Sequence, residues 1–299
     1  MPEEKDQSAS APQVFDAQFF AELERLELVA RKVLHGHIRG ERRSRRRGFS
    51  VEFMDFRPYH QGDDLRYIDW NLYGRLERFY IKLFVEEEEL NLYLLIDTSA
   101  SMGLYGKLTQ AKRIAGALAW IVLMSNERVM VGVFDQRLDL VVRPSRGRGK
   151  VWPLLRSLEG LSAEGGTNLV RAAEVLLSRY RHPGLVVAIS DFLDPAAAQG
   201  LKLLAGFGHQ LAVIQILARE ELDPPLEGDL SLVDVESGEQ VEVSMGEGVL
   251  RRYKERLAAL REELSRIAAR SKGDYYLVTP DTPLRELIFG TMRQRGLVR

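Results

Sequence analysis

The sequence predicts an α/β fold built on a doubly wound, mostly parallel sheet and preceded by a helical and extended segment. Two observations predict it. Five short apolar runs, LNLYLLID (90–97), VMVGVF (129–134), LVVAISD (185–191), LAVIQILA (211–218) and DYYLV (274–278), are unbroken rather than alternating, as strands buried on both faces are. Between them lie amphipathic stretches such as KLTQAKRIAGALAWIVLM (107–124) and LVRAAEVLLSRY (169–180), and strands alternating with helices imply a parallel sheet covered on both sides.

From the start of the chain, residues 1–14 are polar and acidic and predict a disordered tail. Residues 15–89 form a segment of their own, and 90–299 form the α/β domain. Within the first of these, Phe19, Leu23, Leu26, Ala30 and Val33 recur at helical spacing and predict a helix over 15–34. Arg39, Arg42, Arg43, Arg45, Arg46 and Arg47, with Glu41 among them, crowd into nine residues; such charge is either solvated or turned toward an anionic partner. From 48 to 89 aromatic and polar residues mix, with the alternating FYIKLFV (79–85) marking a strand.

Inside the α/β domain, RLDLVVRPSRGRG (137–149) and LSLVDVESGEQVEVS (230–244) read as hairpin-like insertions at the sheet's edges, the first as an antiparallel edge strand. Leu250, Tyr253, Leu257, Leu260, Leu264 and Ile267 follow a three-four spacing through a long charged helix. That seam packs on the sheet; a dimerising coiled coil of about three heptads is the alternative.

Composition narrows the chemistry. A chain of 299 residues, 45% hydrophobic, can bury a large core, and its net charge of -1 excludes a globally basic nucleic-acid binder. The absence of cysteine removes disulfides, thiol nucleophiles, iron–sulfur clusters and cysteine-held zinc, so any metal must rest on oxygen or imidazole. The five histidines show no ligand spacing, and no GxSxG motif offers a hydrolase nucleophile. With no signal-like start and no run of eighteen apolar residues, the expected location is the cytoplasm.

Ligands of an open α/β sheet gather beyond the carboxyl ends of its strands, and Asp97 and Asp191 stand where two predicted strands end. In DTSAS (97–101), Asp97, Ser99 and Ser101 alternate, so a loop leaving the strand can turn three oxygens to one side. Thr167 lies in a glycine-containing loop, AEGGTNLV, just before a helix. Serine and threonine cap helices routinely, which is the plainer explanation of each piece. Together the three loops supply the hydroxyls and carboxylates that a hard divalent ion takes, most simply Mg2+, with Mn2+ or Ca2+ also suited to oxygen.

The strand-terminal DTSAS, the GGTN loop and the strand-terminal SD, in that order, resemble the von Willebrand factor A (vWA) domain and its metal-ion-dependent adhesion site (MIDAS). The resemblance implies that Ser99, Ser101 and Thr167 touch the metal, that Asp97 and Asp191 act directly or through water, and that an acidic side chain of a partner completes the shell. The upstream FRPYHQGDDLRYIDWNLYGRLERFYIKLFVEEEE, with Arg57, Tyr59, Gly62, Asp63, Asp64, Arg66, Ile68, Asp69 and Trp70 and then Glu86 to Glu89, is similar to a bacterial family known as domain of unknown function 58. That resemblance, running over about residues 50–280, implies an adaptor or chaperone-like role beside a MoxR-type AAA+ ATPase and no established enzymatic activity. Many members of that family carry membrane-spanning helices ahead of this region, and none is expected here. For the GDD–IDW stretch itself, a scaffold role is expected, with capping aspartates, Arg–acid pairs, and Trp70 and Tyr73 in the core.

The expected function is therefore a non-enzymatic, metal-dependent protein–protein interaction module. A magnesium phosphatase of haloacid-dehalogenase type is the first alternative, with Asp97 as nucleophile and Asp191 and Asp194 on the metal. That chemistry needs an acid two residues after the nucleophile, where Ser99 stands. The second alternative is nucleic-acid or acidic-surface binding through Arg42, Arg43, Arg45, Arg46 and Arg47; phosphate contacts need only local positive charge. The segment has no aromatic residue to stack a base, so nucleic acid is the less expected target. Fluorescence anisotropy with labelled DNA and RNA is expected to show no binding at low or moderate salt, and salt-sensitive binding at either would favour the arginine arm as a nucleic-acid site.

Overall fold

The computed structural model describes residues 14–17, 19–23, 51–86 and 90–292. The expected tail up to residue 13, the arginine arm 39–47, the rest of the predicted helix beyond residue 23 and Glu87 to Glu89 lie outside the described residues. The chain divides into two compact units, His35–Glu89 and a second that joins Met1–Leu34 to Leu90–Arg299.

In the smaller unit, β1 (Val51–Pro58) pairs antiparallel with β2 (Tyr80–Glu86), and α1 (Trp70–Leu76) lies in the connection between them. The GDD–IDW residues hold that connection together. Arg57 grips Asp63 with two guanidinium nitrogens at 2.6 and 2.7 Å, and this hydrogen bonding pulls the Asp63 carboxyl down to about 2. Asp64 caps the 3-10 turn Leu65–Tyr67, while Asp69 Oδ1 accepts from the amides of Asn71 and Leu72 and so starts α1. The expected scaffold role thus holds for the charged residues. It does not hold for the aromatics: Trp70 is 63% exposed and Tyr73 38%, because a unit this small has too little interior for them. They cover each other instead, Tyr73 stacking on Phe79 at 4.5 Å and Trp70 meeting both rings edge-on.

The larger unit is the doubly wound domain. In chain order it contains β3 (Asn91–Asp97), α2 (Lys107–Met124), β4 (Arg128–Phe134), β5 (Leu138–Arg146), α3 (Val151–Glu159), α4 (Leu169–Arg179) and β6 (Leu185–Ser190). There follow α5 (Ala197–Gly206), β7 (Gln210–Ile216), α6 (Arg219–Leu222), β8 (Gly228–Val233), β9 (Gln240–Met245), α7 (Glu247–Arg270) and β10 (Asp274–Val278). The five apolar runs become β3, β4, β6, β7 and β10, all parallel, and β5 pairs antiparallel with β4 at one edge. Sheet order is β10-β7-β6-β3-β4-β5. The second insertion departs from expectation: β8 and β9 pair only with each other, as a separate two-stranded sheet.

Side-chain alternation assigns the faces. Tyr93 and Leu95 of β3, with Val186 and Ala188 of β6, point toward α4, α5 and α7. Leu92, Leu94 and Ile96, equally buried, point the other way, where α2 lies on β3 and β4. Phe15 and Phe19 are buried in this unit as well, and Gly116 of α2 makes room, since a Cβ there would come within 2.8 Å of the Phe15 ring. The expectation that 15–89 is one segment is therefore revised: its first aromatics belong with the α/β domain. Among the described residues no helix is long and apolar enough to cross a membrane.

The α7 seam packs inward, with Leu257, Leu264, Ile267 and Ala268 buried against α5 and the β7–β10 edge of the sheet. Leu264 is fully buried there. Leu264→Ala is expected to lower unfolding free energy by about 2–5 kcal/mol without changing the oligomeric state. Denaturant titration with sedimentation analysis checks both, and a weakened dimer would restore the coiled-coil alternative.

Candidate metal centre

The chain leaves β3, runs to β4 on one side of it, and later returns to β6 on the other, so β3 and β6 flank the switch point of the sheet. Because these strands are parallel and in register, Ile96 beside Ile189, their carboxyl ends place Asp97 and Asp191 on one rim. Asp97, Ser99 and Asp191 are buried, while Ser101 and Thr167 are only half-buried and open the cluster toward solvent.

Backbone bonds lock the loops together. Thr98 N–H donates to the Phe134 carbonyl, Glu164 N–H to the Thr98 carbonyl and Ala100 N–H to the Gly165 carbonyl, each at 2.8–2.9 Å. The DTSAS loop and the glycine loop carrying Thr167 are thereby zipped side by side. Gly200 of α5 holds the same region from below, where a Cβ would approach the Leu169 backbone to 2.8 Å. Asn168 caps α4 by accepting from the Arg171 amide, so capping belongs to Asn168 and leaves Thr167 available.

The five predicted oxygens meet in two chains. Asp97 Oδ2 accepts from Thr167 Oγ1 at 3.2 Å and from Ser190 Oγ at 2.6 Å, while its Oδ1 accepts from the Ser99 amide. Ser99 Oγ lies 3.1 Å from Ser101 Oγ, which donates to Asp191 Oδ2 at 2.8 Å. Ser99 makes no side-chain cap of the following 3-10 turn, so its hydroxyl faces the cluster. Burial pushes the Asp97 carboxyl up to about 6 in spite of the Ser190 and Ser99 hydrogen bonds, and the nearby Asp191 adds to the rise. Phe192, next to Asp191, sits in the left-handed region at φ 53 while fully packed. A bulky side chain there costs about 1–3 kcal/mol, so the surroundings hold this turn, and Asp191 with it, in place.

Two carboxylates and three hydroxyls, packed closely enough to hydrogen-bond one another, are the donor set a hard oxygen-seeking cation takes, and they fit such an ion. They hold no soft or imidazole ligand.

A protein-family model described as protein of unknown function DUF58 matches residues 55–263. The chain belongs to that family. Its relatives include the uncharacterized protein Rv1480 of Mycobacterium tuberculosis (strain ATCC 25618 / H37Rv) and the uncharacterized protein Mb1516 of Mycobacterium bovis. Each is 30% identical over 268 residues, covering 87% of this chain and 80% of the relative. Among solved structures, the conserved hypothetical protein BatB from Bacteroides thetaiotaomicron shares 17% identity with a TM-score of 0.45, over 70% of this chain and 99% of that one. A von Willebrand factor type A protein from Catenulispora acidiphila shares 13% identity with a TM-score of 0.45, over 71% of this chain and 43% of that one.

The candidate site of this DUF58 chain also contains residues that the sequence pattern did not single out. Lys107, the first residue of α2, is completely buried; its Nζ donates to Asp191 Oδ2 at 2.8 Å and to Glu221 Oε1 of α6 at 2.5 Å. Burial works to lower the Lys107 pKa, but Asp191 and Glu221 outweigh it and hold the ammonium above its usual range. Gln215 of β7 donates to the Asp191 carbonyl and accepts from the Tyr275 hydroxyl. Glu236, in the turn between β8 and β9, accepts from the Thr167 amide at 3.1 Å. A glutamine inside the apolar run LAVIQILA was the one visible signal for this group, since a strand buried on both faces carries a polar side chain only when it has a partner.

Asp97, Asp191 and Glu221, against Lys107, leave two negative charges when all are ionised. Removing the ammonium strands the buried Asp191 and the half-buried Glu221, so Lys107→Met is expected to cost about 3–5 kcal/mol in the presence of chelator. Urea unfolding with chelator and with excess Mg2+ checks this, and the variant is expected to recover more stability from Mg2+ than the wild type does. A loss under about 1 kcal/mol would mean that solvent rather than Lys107 balances the cluster.

Proposed function

We propose that this DUF58 chain is a non-enzymatic protein-binding module that works through a divalent cation, most simply Mg2+, held by Asp97, Ser99, Ser101, Thr167 and Asp191. The observation that carries the reading is the meeting of these five oxygens, from three separate loops, at the switch point of the sheet. Buried Asp97 and Asp191 supply the charge; half-buried Ser101 and Thr167 form the side open to a partner. A divalent cation bound there would offer an anionic oxygen a positive centre that the neutral hydroxyls do not quench.

The partner's side of the contact would then be a carboxylate, from an aspartate or glutamate of another protein. Exposed Leu104, Tyr105 and Leu193 follow closely on Ser101 and Asp191 in sequence and give such a partner apolar surface to rest on. The collaborator implied by the family resemblance is a MoxR-type AAA+ ATPase, with the chain acting as its adaptor or chaperone-like factor in the maturation of other proteins. The phosphatase alternative gains no support from the geometry: Ser99, not an acid, follows Asp97 by two residues, and Asp194 is engaged in capping the turn before α5 through the Ala196 amide.

Titration calorimetry with Mg2+ and Mn2+ tests the site. The wild type is expected to bind, and Asp97→Ala to lose at least about 10-fold in affinity. Equal binding by the two proteins would overturn the assignment. Affinity purification with and without chelator tests the function, with a partner expected to be released by chelator.

A further inference from the structure

We propose that Glu236 is a built-in acidic occupant of this site, so that the β8–β9 hairpin competes with a partner's carboxylate for it. The inference rests on the metal-dependent reading above and adds its regulation.

The hairpin is an arm with an acid at its tip. Among the described residues β8 and β9 pair with no other strand, and most of their side chains are exposed, Val233 and Val241 at 57% and 56%. A lone two-stranded hairpin is marginal in water, so its ordered placement draws on contacts beyond its own ladder. The tip is nevertheless rigid. Asp234 Oδ1 accepts from the amides of Glu236 and Ser237, both at 2.8 Å; the Asp234 amide donates to the Glu239 carbonyl, and the Gly238 amide to the Asp234 carbonyl. Gly238 closes the turn at φ 74, a conformation glycine adopts without strain. The backbone donors that hold Asp234 also keep its carboxyl below the usual range.

What this turn presents is Glu236, and what Glu236 meets is the backbone of the loop that carries Thr167. Its Oε2 accepts from the amide of Thr167, whose own hydroxyl donates to Asp97. The approach is close: a Cβ on Gly166 would lie 3.4 Å from Glu236 Oε2 and 2.5 Å from Gln136 Nε2. The bare backbone at Gly166 is therefore what lets both side chains come down on the loop. A hard cation takes about six oxygens, and five side chains leave room for another anionic oxygen. Glu236 is such an oxygen, already held at the half-buried end of the cluster. Since one amide bond and a marginal hairpin hold it there, a partner's acid can replace it.

The test uses the full chain loaded with Mn2+ and compares wild type, Glu236→Gln and, as a control on the same turn, Glu239→Gln. Water-proton relaxation reports how many waters reach the bound ion, and acetate serves as the probe carboxylate. Glu236→Gln is expected to raise relaxation by the equivalent of about one water, to bind Mn2+ about 3- to 10-fold more weakly, and to lose the extra relaxation when acetate is added. Wild type and Glu239→Gln are expected to respond little to acetate. If all three proteins bind Mn2+ with the same relaxation and the same acetate response, the role of Glu236 is overturned while the metal site stands. If none binds Mn2+, the underlying reading falls and this inference with it.

Discussion

Two carboxylates buried at the carboxyl edge of an apolar sheet are the constraint around which the domain is arranged. Taking a carboxylate out of water costs several kcal/mol even after relaxation, so each must find compensating dipoles or charge. Asp97 finds hydroxyls and an amide, which do not suffice to keep its pKa in the usual carboxylate range. Asp191 finds an ammonium, and Lys107 can sit in the interior only because Asp191 and Glu221 both face it. The network ties the start of α2, the end of β6 and α6 to one point, so local electrostatics and the packing of three elements are one problem.

The loops show the same dependence. The DTSAS and glycine loops are aligned by main-chain bonds, and within that frame the hydroxyls of Ser101 and Thr167 turn toward the carboxylates, Thr167 joining the two loops a second time through Asp97. The left-handed Phe192 aims the end of β6, and its strain is borne by a ring buried in the core beneath. Gly200 lets α5 press against the start of α4 immediately after Thr167. Rigidity at this rim comes from the domain core, whereas β8 and β9 form a separate two-stranded sheet whose turn reaches the Thr167 amide through Glu236.

Much of this was legible along the chain, and the reason is periodicity. Strands buried on both faces must be apolar throughout, helices on a sheet must repeat every three to four residues, and both patterns are local. Hence the five apolar runs became the five parallel strands, and the α7 seam faced inward. The five oxygens of the candidate centre were legible too, because strand-terminal position follows from the strands themselves. Trp70 and Tyr73 misled, since aromatic composition signals a core only where a unit is large enough to have one. Lys107 and Glu221 gave no signal: a charged residue at the start of a helix ordinarily faces water.

Local pattern thus determined the layers, the strand ends and the identity of the oxygen donors. Which charges meet was decided by the fold alone, because Lys107 and Asp191 are 84 residues apart, Lys107 and Glu221 114, and Glu236 and Thr167 69. Such pairs are set by the order in which strands are laid into the sheet and by where an arm comes to rest. Nothing in the spacing of side chains along one element encodes that order; it follows from the whole chain burying its apolar surface at once.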